Sequence, residues 1–182
     1  MSTARYVLLD RDGVINEDSP NYIKSPAEWQ PLPGSLEAIA LLTRHGYRVV
    51  VITNQSGIGQ GLFDTAVLHA IHDKMRCAIT AQGGALAAIY YCPHAPEAHC
   101  DCRKPKPGLL QAFSRDYGVA LSGVPLIGDA LRDMQAARAV GAQPILVQTG
   151  QGSMTQALLS PEEAIPVYAN LYEAAHAILA SR

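Results

Sequence analysis

The stretch Tyr6-Val7-Leu8-Leu9-Asp10-Arg11-Asp12-Gly13 runs from four apolar residues straight into two carboxylates. A valine- and leucine-rich run of this length predicts a buried strand. The aspartates then leave at its C-terminal end, the edge where open α/β sheets hold ligands. Asp10 and Asp12, two residues apart, can face one pocket and divide the work, one as nucleophile and one as proton carrier. Gly13 lets the chain turn sharply after them. A solvated Asp/Gly turn is the plain alternative, so the chemistry needs support from elsewhere in the chain.

Downstream, apolar runs and amphipathic stretches alternate. Residues 34–45 carry Leu36, Ile39 and Leu42 at helical spacing and stop at Gly46. Arg48–Ile52 reads as a second, fully buried strand. Asp64 caps a long helix with Leu68, Ile71, Met75 and Ile79 on one face. Ala88–Tyr91 is a third strand, residues 108–117 a helix, and Val124–Ile127 a fourth strand with its proline near the start. Residues 130–140 form a helix stopped by Gly141, Pro144–Val147 a fifth strand, and 171–179 a last helix. This alternation predicts an α/β fold, a parallel sheet with helices on both faces, in one domain over residues 1–182. Two connections, Val14–Pro33 and Cys92–Pro107, are longer than the topology needs and follow strands at the ligand edge, so both are expected to wall a pocket.

At 182 residues, 48% hydrophobic and 16% charged, the chain supports a real core and is too apolar to be disordered. A net charge of −2 argues against nucleic acid as a partner. No segment is long and apolar enough to span a bilayer, which argues against a membrane partner. Met1–Arg5 leads at once into the first strand, with no charged region followed by an apolar one, so a cytoplasmic location is expected. No heptad pattern signals obligate assembly, and a monomer is expected. Three of the four cysteines fall between positions 92 and 102, and in a reducing compartment such clustering points to metal.

Cys92, His94, Cys100 and Cys102 make a closed tetrahedral Zn²⁺ set, with no position left open, so the zinc is expected to be a structural staple of loop 92–107. His99 is a rival ligand whose adjacency to Cys100 strains the geometry. The second strand ends in Thr53-Asn54-Gln55-Ser56-Gly57, a hydroxyl and amide group that suits an anion; a polar turn is the bland alternative. Arg103-Lys104-Pro105-Lys106-Pro107 concentrates cations in a stiffened loop, either solvated or an electropositive wall for phosphate. Asp129 repeats the theme of a carboxylate at a strand end, and with Asp10 and a backbone carbonyl it suits Mg²⁺. Asp133, a helical turn later, reads as its support or as a helix-dipole partner. His69 and His72 are expected on a solvated helix face, Cys77 on a buried one, Tyr90 and Tyr91 against the sheet, and Trp29 as the anchor of its loop.

Taken in order, Asp10-Arg11-Asp12-Gly13, Thr53, Lys104, and Asp129 with Asp133 resemble the motifs of the haloacid dehalogenase superfamily of phosphatases. More narrowly, Asp10–Asn16, Thr53–Gly57 and the Cys-Pro-His…Cys-Asp-Cys-Arg-Lys-Pro segment resemble the D-glycero-D-manno-heptose 1,7-bisphosphate 7-phosphatases; the histidinol-phosphate phosphatases share the metal loop and are the nearest alternative. The resemblance implies a Rossmann-like sheet with no large cap domain and a small sugar phosphate as substrate, in lipopolysaccharide heptose synthesis. It implies Asp10 as nucleophile, Asp12 as general acid and base, Thr53 and Lys104 as phosphoryl ligands, and Mg²⁺ on Asp10, Asp129 and the Asp12 carbonyl. Asn54 with its N–H, Gln55, Ser56 and Arg103, and Asp18, Ser19, Pro20 and Asn21, are implied as substrate contacts. The chain departs from the pattern at Ala130, where many members carry lysine, and at Gln60, where many carry arginine; Arg132 or Lys106 is the available replacement. A zinc-stabilised interaction module without catalysis is the alternative of another class.

Overall fold

Alternating side chains along β1 (Arg5–Leu9) and β2 (Tyr47–Asn54) build two cores at once. Val7, Leu9, Val49 and Val51 enter one, Tyr6, Leu8, Val50 and Ile52 the other. Both faces are covered, which is why these strands read as unbroken apolar runs. The computed structural model describes residues 5–181, so the reading of Met1–Ala4 as a direct lead-in lies outside the described residues.

β3 (Leu86–Cys92), β4 (Pro125–Gly128), β5 (Gln143–Val147) and β6 (Val167–Tyr168) complete a six-stranded parallel sheet in the order β3-β2-β1-β4-β5-β6. Strand order reverses between β1 and β4, and such a reversal opens a crevice at the carboxyl ends of the strands. The expected parallel α/β sheet is thus present, with one strand more than the five expected: β6 has only two residues, too short for an alternating pattern.

On one face pack α1 (Ser35–Arg44), α2 (Thr65–Ala81) and α6 (Leu171–Ala180), on the other α3 (Gly108–Tyr117) and α4 (Leu131–Ala139). Asp64 caps α2 by accepting from Val67 N at 2.9 Å, and Asn170 caps α6 by accepting from Glu173 N at 3.0 Å. α5 (Gly152–Leu158) escaped the sequence reading because its opening Gly-Ser and single turn or two carry almost no periodicity. The α2 stripe corrects two expectations. His72 is buried, four residues after Leu68 and three before Met75, so helical phase and not residue type decides its side. Cys77 falls off that stripe and is exposed.

The 14–33 connection is not slack. Asn16 bridges to Asp12 and to Pro31, Trp29 is 1% exposed in the α1/α2 core, and Lys74 of α2 donates to Pro26 O at 2.7 Å and Trp29 O at 2.9 Å. Trp29 is the anchor expected of it. Trp29→Ala should therefore cost about 3–5 kcal/mol in urea unfolding; a loss under about 1 kcal/mol would show that the loop carries itself.

Candidate active site

Asp10 is the first residue past β1 and Asp129 the first past β4, adjacent strands at the reversal point, with Asp10 N donating to Ile127 O at 2.9 Å. Asp10, Asp129 and Asp133 are all buried, and an oxygen from each lies within 4.8 Å of the others. Gly13 (φ 79°) and Gly150 (φ 58°) flank Asp129, and a Cβ at either would overlap its Oδ2. Only glycine fits both the backbone conformation and the space. The loop after β5 closes the arrangement: Gln151 N donates to Asp129 Oδ2 at 2.8 Å and Thr149 Oγ1 to Gly13 O at 2.7 Å. Nothing in the sequence reading pointed to this Thr149–Gln151 clasp, whose only local signal is a glycine after a strand.

Lys104 is 1% exposed. Its Nζ meets Asp10 Oδ1 at 3.1 Å and Asp133 Oδ1 at 2.6 Å, and donates to Ile52 O at 2.6 Å. Burial would strip its proton, but Asp10 and Asp133 outweigh that and hold the ammonium above its ordinary pKa. The Asn54 side chain fixes the lysine backbone, donating to Lys104 O at 3.1 Å and accepting from Lys104 N at 3.0 Å. Asp133 combines both readings made of it: it pairs with Lys104 and accepts from Ala130 N at 3.1 Å at the start of α4. With Asp133 so engaged, Asp10 and Asp129 remain for a cation. Asp129 Oδ1 is buried without a partner among the described residues, an oxygen suited to a hard divalent ion. Burial, then Asp133, pushes Asp10 up to about 6; burial, then Asp10, pushes Asp129 up to about 8.

Asp12 sits in the opposite environment. Arg11 Nε and Nη2 donate to its Oδ1 at 3.0 and 2.9 Å, Asn16 Nδ2 to Oδ1 at 2.9 Å, and Gln55 Nε2 to Oδ2 at 3.0 Å. Burial would raise this carboxyl, yet the Arg11 charge and these hydrogen bonds hold it below the ordinary range. Its carboxylate is thus taken up by Arg11, Asn16 and Gln55, and it is not among the acids that converge at Asp10, Asp129 and Asp133. Gln55 also donates to Thr53 Oγ1 at 2.9 Å, tying the end of β2 to the end of β1.

A cavity of about 680 Å³ opens over these groups. Asp10, Asp12, Asp18, Ser19, Pro20, Asn54, Gln55, Ser56 and Arg103 line it; Asn21 does not, and Thr53, Lys104 and Asp129 are buried just off it. Arg132 and Gln151 line it as well, while Lys106 turns away to His99 O at 3.3 Å and Asp101 at 3.2 Å. A cavity of about 710 Å³ lies at the opposite, amino edge of the sheet, but no carboxylate, histidine or cysteine among the described residues lines it.

Cys92, His94, Cys100 and Cys102 converge as expected, and His99 is not among them. The Cys92–Cys102 and His94–Cys102 separations are 3.2 Å, and Cys92–Cys100, Cys100–Cys102 and Cys92–His94 are 3.5 Å. A tetrahedral Zn²⁺ with S and N ligands sets such edges at about 3.5–3.8 Å, so the donors fit a closed zinc site. The sulfurs abut the α3/α4 core through buried Cys92, and the loop leads directly into Arg103 and Lys104.

The family described as HAD-hydrolase-like matches residues 101–174. The chain is 56% identical over 153 residues to the D-glycero-beta-D-manno-heptose-1,7-bisphosphate 7-phosphatase of Bordetella bronchiseptica, covering 84% of this chain and 86% of that protein. It is 50% identical over 173 residues to the enzyme of the same name from Pseudomonas aeruginosa, covering 95% and 97%. Among solved structures it resembles the B. bronchiseptica D,D-heptose 1,7-bisphosphate phosphatase complexed with magnesium and phosphate, with a TM-score of 0.95 at 50% identity over 98% of this chain and 99% of that one.

Removing Lys104 strands two buried carboxylates. Lys104→Met should cost about 3–5 kcal/mol in urea unfolding, and an unchanged midpoint would deny the ion pairs their role. The raised carboxyls carry a pH signature. Folded Asp10 and Asp129, at about 6 and about 8, bind protons that the unfolded chain has released above 3.8, so metal-free stability falls as pH rises toward 8. Mg²⁺ takes the ionised form and should raise the melting temperature more at pH 8 than at pH 6; a pH-independent shift contradicts the assignment. Zinc chelation should loosen the 92–107 loop and lower both stability and activity, measured by melting and turnover after exhaustive treatment with a chelator.

Proposed function

The chain belongs to the D-glycero-beta-D-manno-heptose-1,7-bisphosphate 7-phosphatases, and from that membership we propose how its residues remove the C7 phosphate. It is a phosphoric monoester hydrolase of heptose nucleotide and lipopolysaccharide core synthesis, with Mg²⁺ at the acids and Zn²⁺ in the cysteine loop. The observation that carries the reading is the meeting of Asp10 and Asp129 across adjacent strands, with Lys104 on Asp10.

Lys104 and Arg11 N, at 3.1 and 2.8 Å, both hold Asp10 Oδ1, which leaves Oδ2 to attack. Asp10 forms a bond to the C7 phosphorus while the bond to the sugar oxygen breaks, giving an aspartyl-phosphate. Asp12 gives its proton to the leaving oxygen, then takes one from the water that attacks phosphorus and frees Asp10. Asp12 rests ionised in the free enzyme, and an incoming phosphate dianion raises its proton affinity. Thr53, Asn54 N–H and Lys104 hold the transferring oxygens, donors fixed before the charge develops. Mg²⁺, held by Asp10, Asp129 and the Asp12 carbonyl, supplies Lewis-acid neutralisation between two anions.

Arg103 and Arg132 support a second phosphate on the substrate. Arg103 Nη1 and Arg132 Nε are buried without partners among the described residues, and both side chains line the cavity. Arg132 thereby takes the place left by Ala130. Asp18, Ser19 and Pro20, with Gln55 and Ser56, bound the sugar. Within this reading the enzyme works as a monomer in the cytoplasm; no helix among the described residues is long and apolar enough to cross a membrane.

Phosphate release from heptose 1,7-bisphosphate and from histidinol phosphate, compared as kcat/KM, tests the substrate. The heptose should win by orders of magnitude, and faster release from histidinol phosphate sinks the reading. Asp10→Asn should cut turnover more than about a thousandfold, and Arg132→Ala should raise KM about 10- to 100-fold by losing a charged contact.

A further inference from the structure

We propose that His72 is a positioning residue for proton transfer: through Arg11 it holds the Asp12 carboxylate where the leaving oxygen of the sugar phosphate arrives. The proposal rests on the reading of Asp12 as general acid.

His72 projects from the middle of α2, 61 residues from Arg11 in sequence, and is 5% exposed. The Tyr91 ring of β3 braces it edge-on, centroids 6.1 Å apart at 62°. Its Nε2 lies 3.1 Å from Arg11 Nη1. A guanidinium donates at every nitrogen, so Nε2 is the acceptor and the ring proton sits on Nδ1. Burial, then the Arg11 charge, pushes His72 down to about 3, so the ring stays neutral where the enzyme works.

Neutrality is what the place requires. Arg11 has no exposure, and its remaining bonds, from Nε and Nη2, converge on Asp12 Oδ1. An apolar residue at 72 leaves Nη1 buried without an acceptor, and the guanidinium turns to find one. A carboxylate there competes with Asp12 for the same charge. A neutral imidazole satisfies Nη1 and leaves the ion pair to Asp12, whose side chain keeps 23% exposure toward the cavity. Misplacing an acid by about 1 Å costs up to about a hundredfold in rate.

The test compares kcat/KM for heptose 1,7-bisphosphate with that for p-nitrophenyl phosphate. This parameter reports steps through phosphoryl transfer to Asp10, and nitrophenolate departs without a proton whereas a sugar alkoxide needs one. His72→Leu and His72→Asn, whose amide is too short to reach Nη1, should each lose about 10- to 100-fold on the heptose and little on the nitrophenyl ester. His72→Gln, which carries a neutral oxygen to the position of Nε2, should stay close to the parent ratio. Equal losses on both substrates, or no loss on either, overturn the proposal. Two variants guard against one failing to fold. Asp12→Asn, run alongside, separates the premise: full heptose hydrolysis by that variant defeats the general-acid reading and this proposal with it, while its inactivity beside a normal His72→Leu defeats this proposal alone.

Discussion

The Lys104 ammonium, buried between Asp10 and Asp133 with Asp129 close by, is the charge around which the active centre is arranged. Desolvating one ammonium and three carboxylates is costly, and pairing offsets only part of it. The imbalance is the useful feature. Three acids against Lys104 and the nearby Arg132 leave surplus negative charge, which adds to burial in raising Asp10 and Asp129. A divalent cation relieves that surplus, so the same crowding that strains the metal-free protein prepares it for magnesium.

Asp10 and Asp12 show how two acids on one turn acquire different chemistry. Burial and then the facing carboxylates push Asp10 up; Asp12, buried as well, is held down by Arg11, Asn16 and Gln55. Environment, not identity, sets the division of labour. The strand ends at Leu9 and the chain turns at Arg11, whose carbonyl accepts from Ile15 N at 2.8 Å, so the two acids leave the strand end toward different partners.

Each charged group depends on an element remote in sequence. Asn54 of β2 fixes the backbone of Lys104, the loop after β5 grips Asp129 and Gly13, and α2 supplies His72 to Arg11. The cysteine loop brings Arg103 and Lys104 to this point although it has little core of its own, which is the task a closed zinc site performs for a short segment.

The order of strands and helices was legible because burial on both faces writes itself as apolar runs, and caps such as Asp64 and stops such as Gly118 mark the ends locally. Asp10, Asp12, Lys104 and Asp129 were legible through their order along the chain, and Cys92, His94, Cys100 and Cys102 through the clustering of the thiols. Sequence alone did not contain the Thr149–Gln151 clasp, the Asn54 latch, or the inward turn of His72. Each is a contact between segments tens of residues apart, made by residue types that are ordinary on a surface. Local pattern determines which elements form and which side chains reach an edge; only packing of the sheet decides which charges meet there, because electrostatic energy depends on distance in space and on the solvent that folding removes.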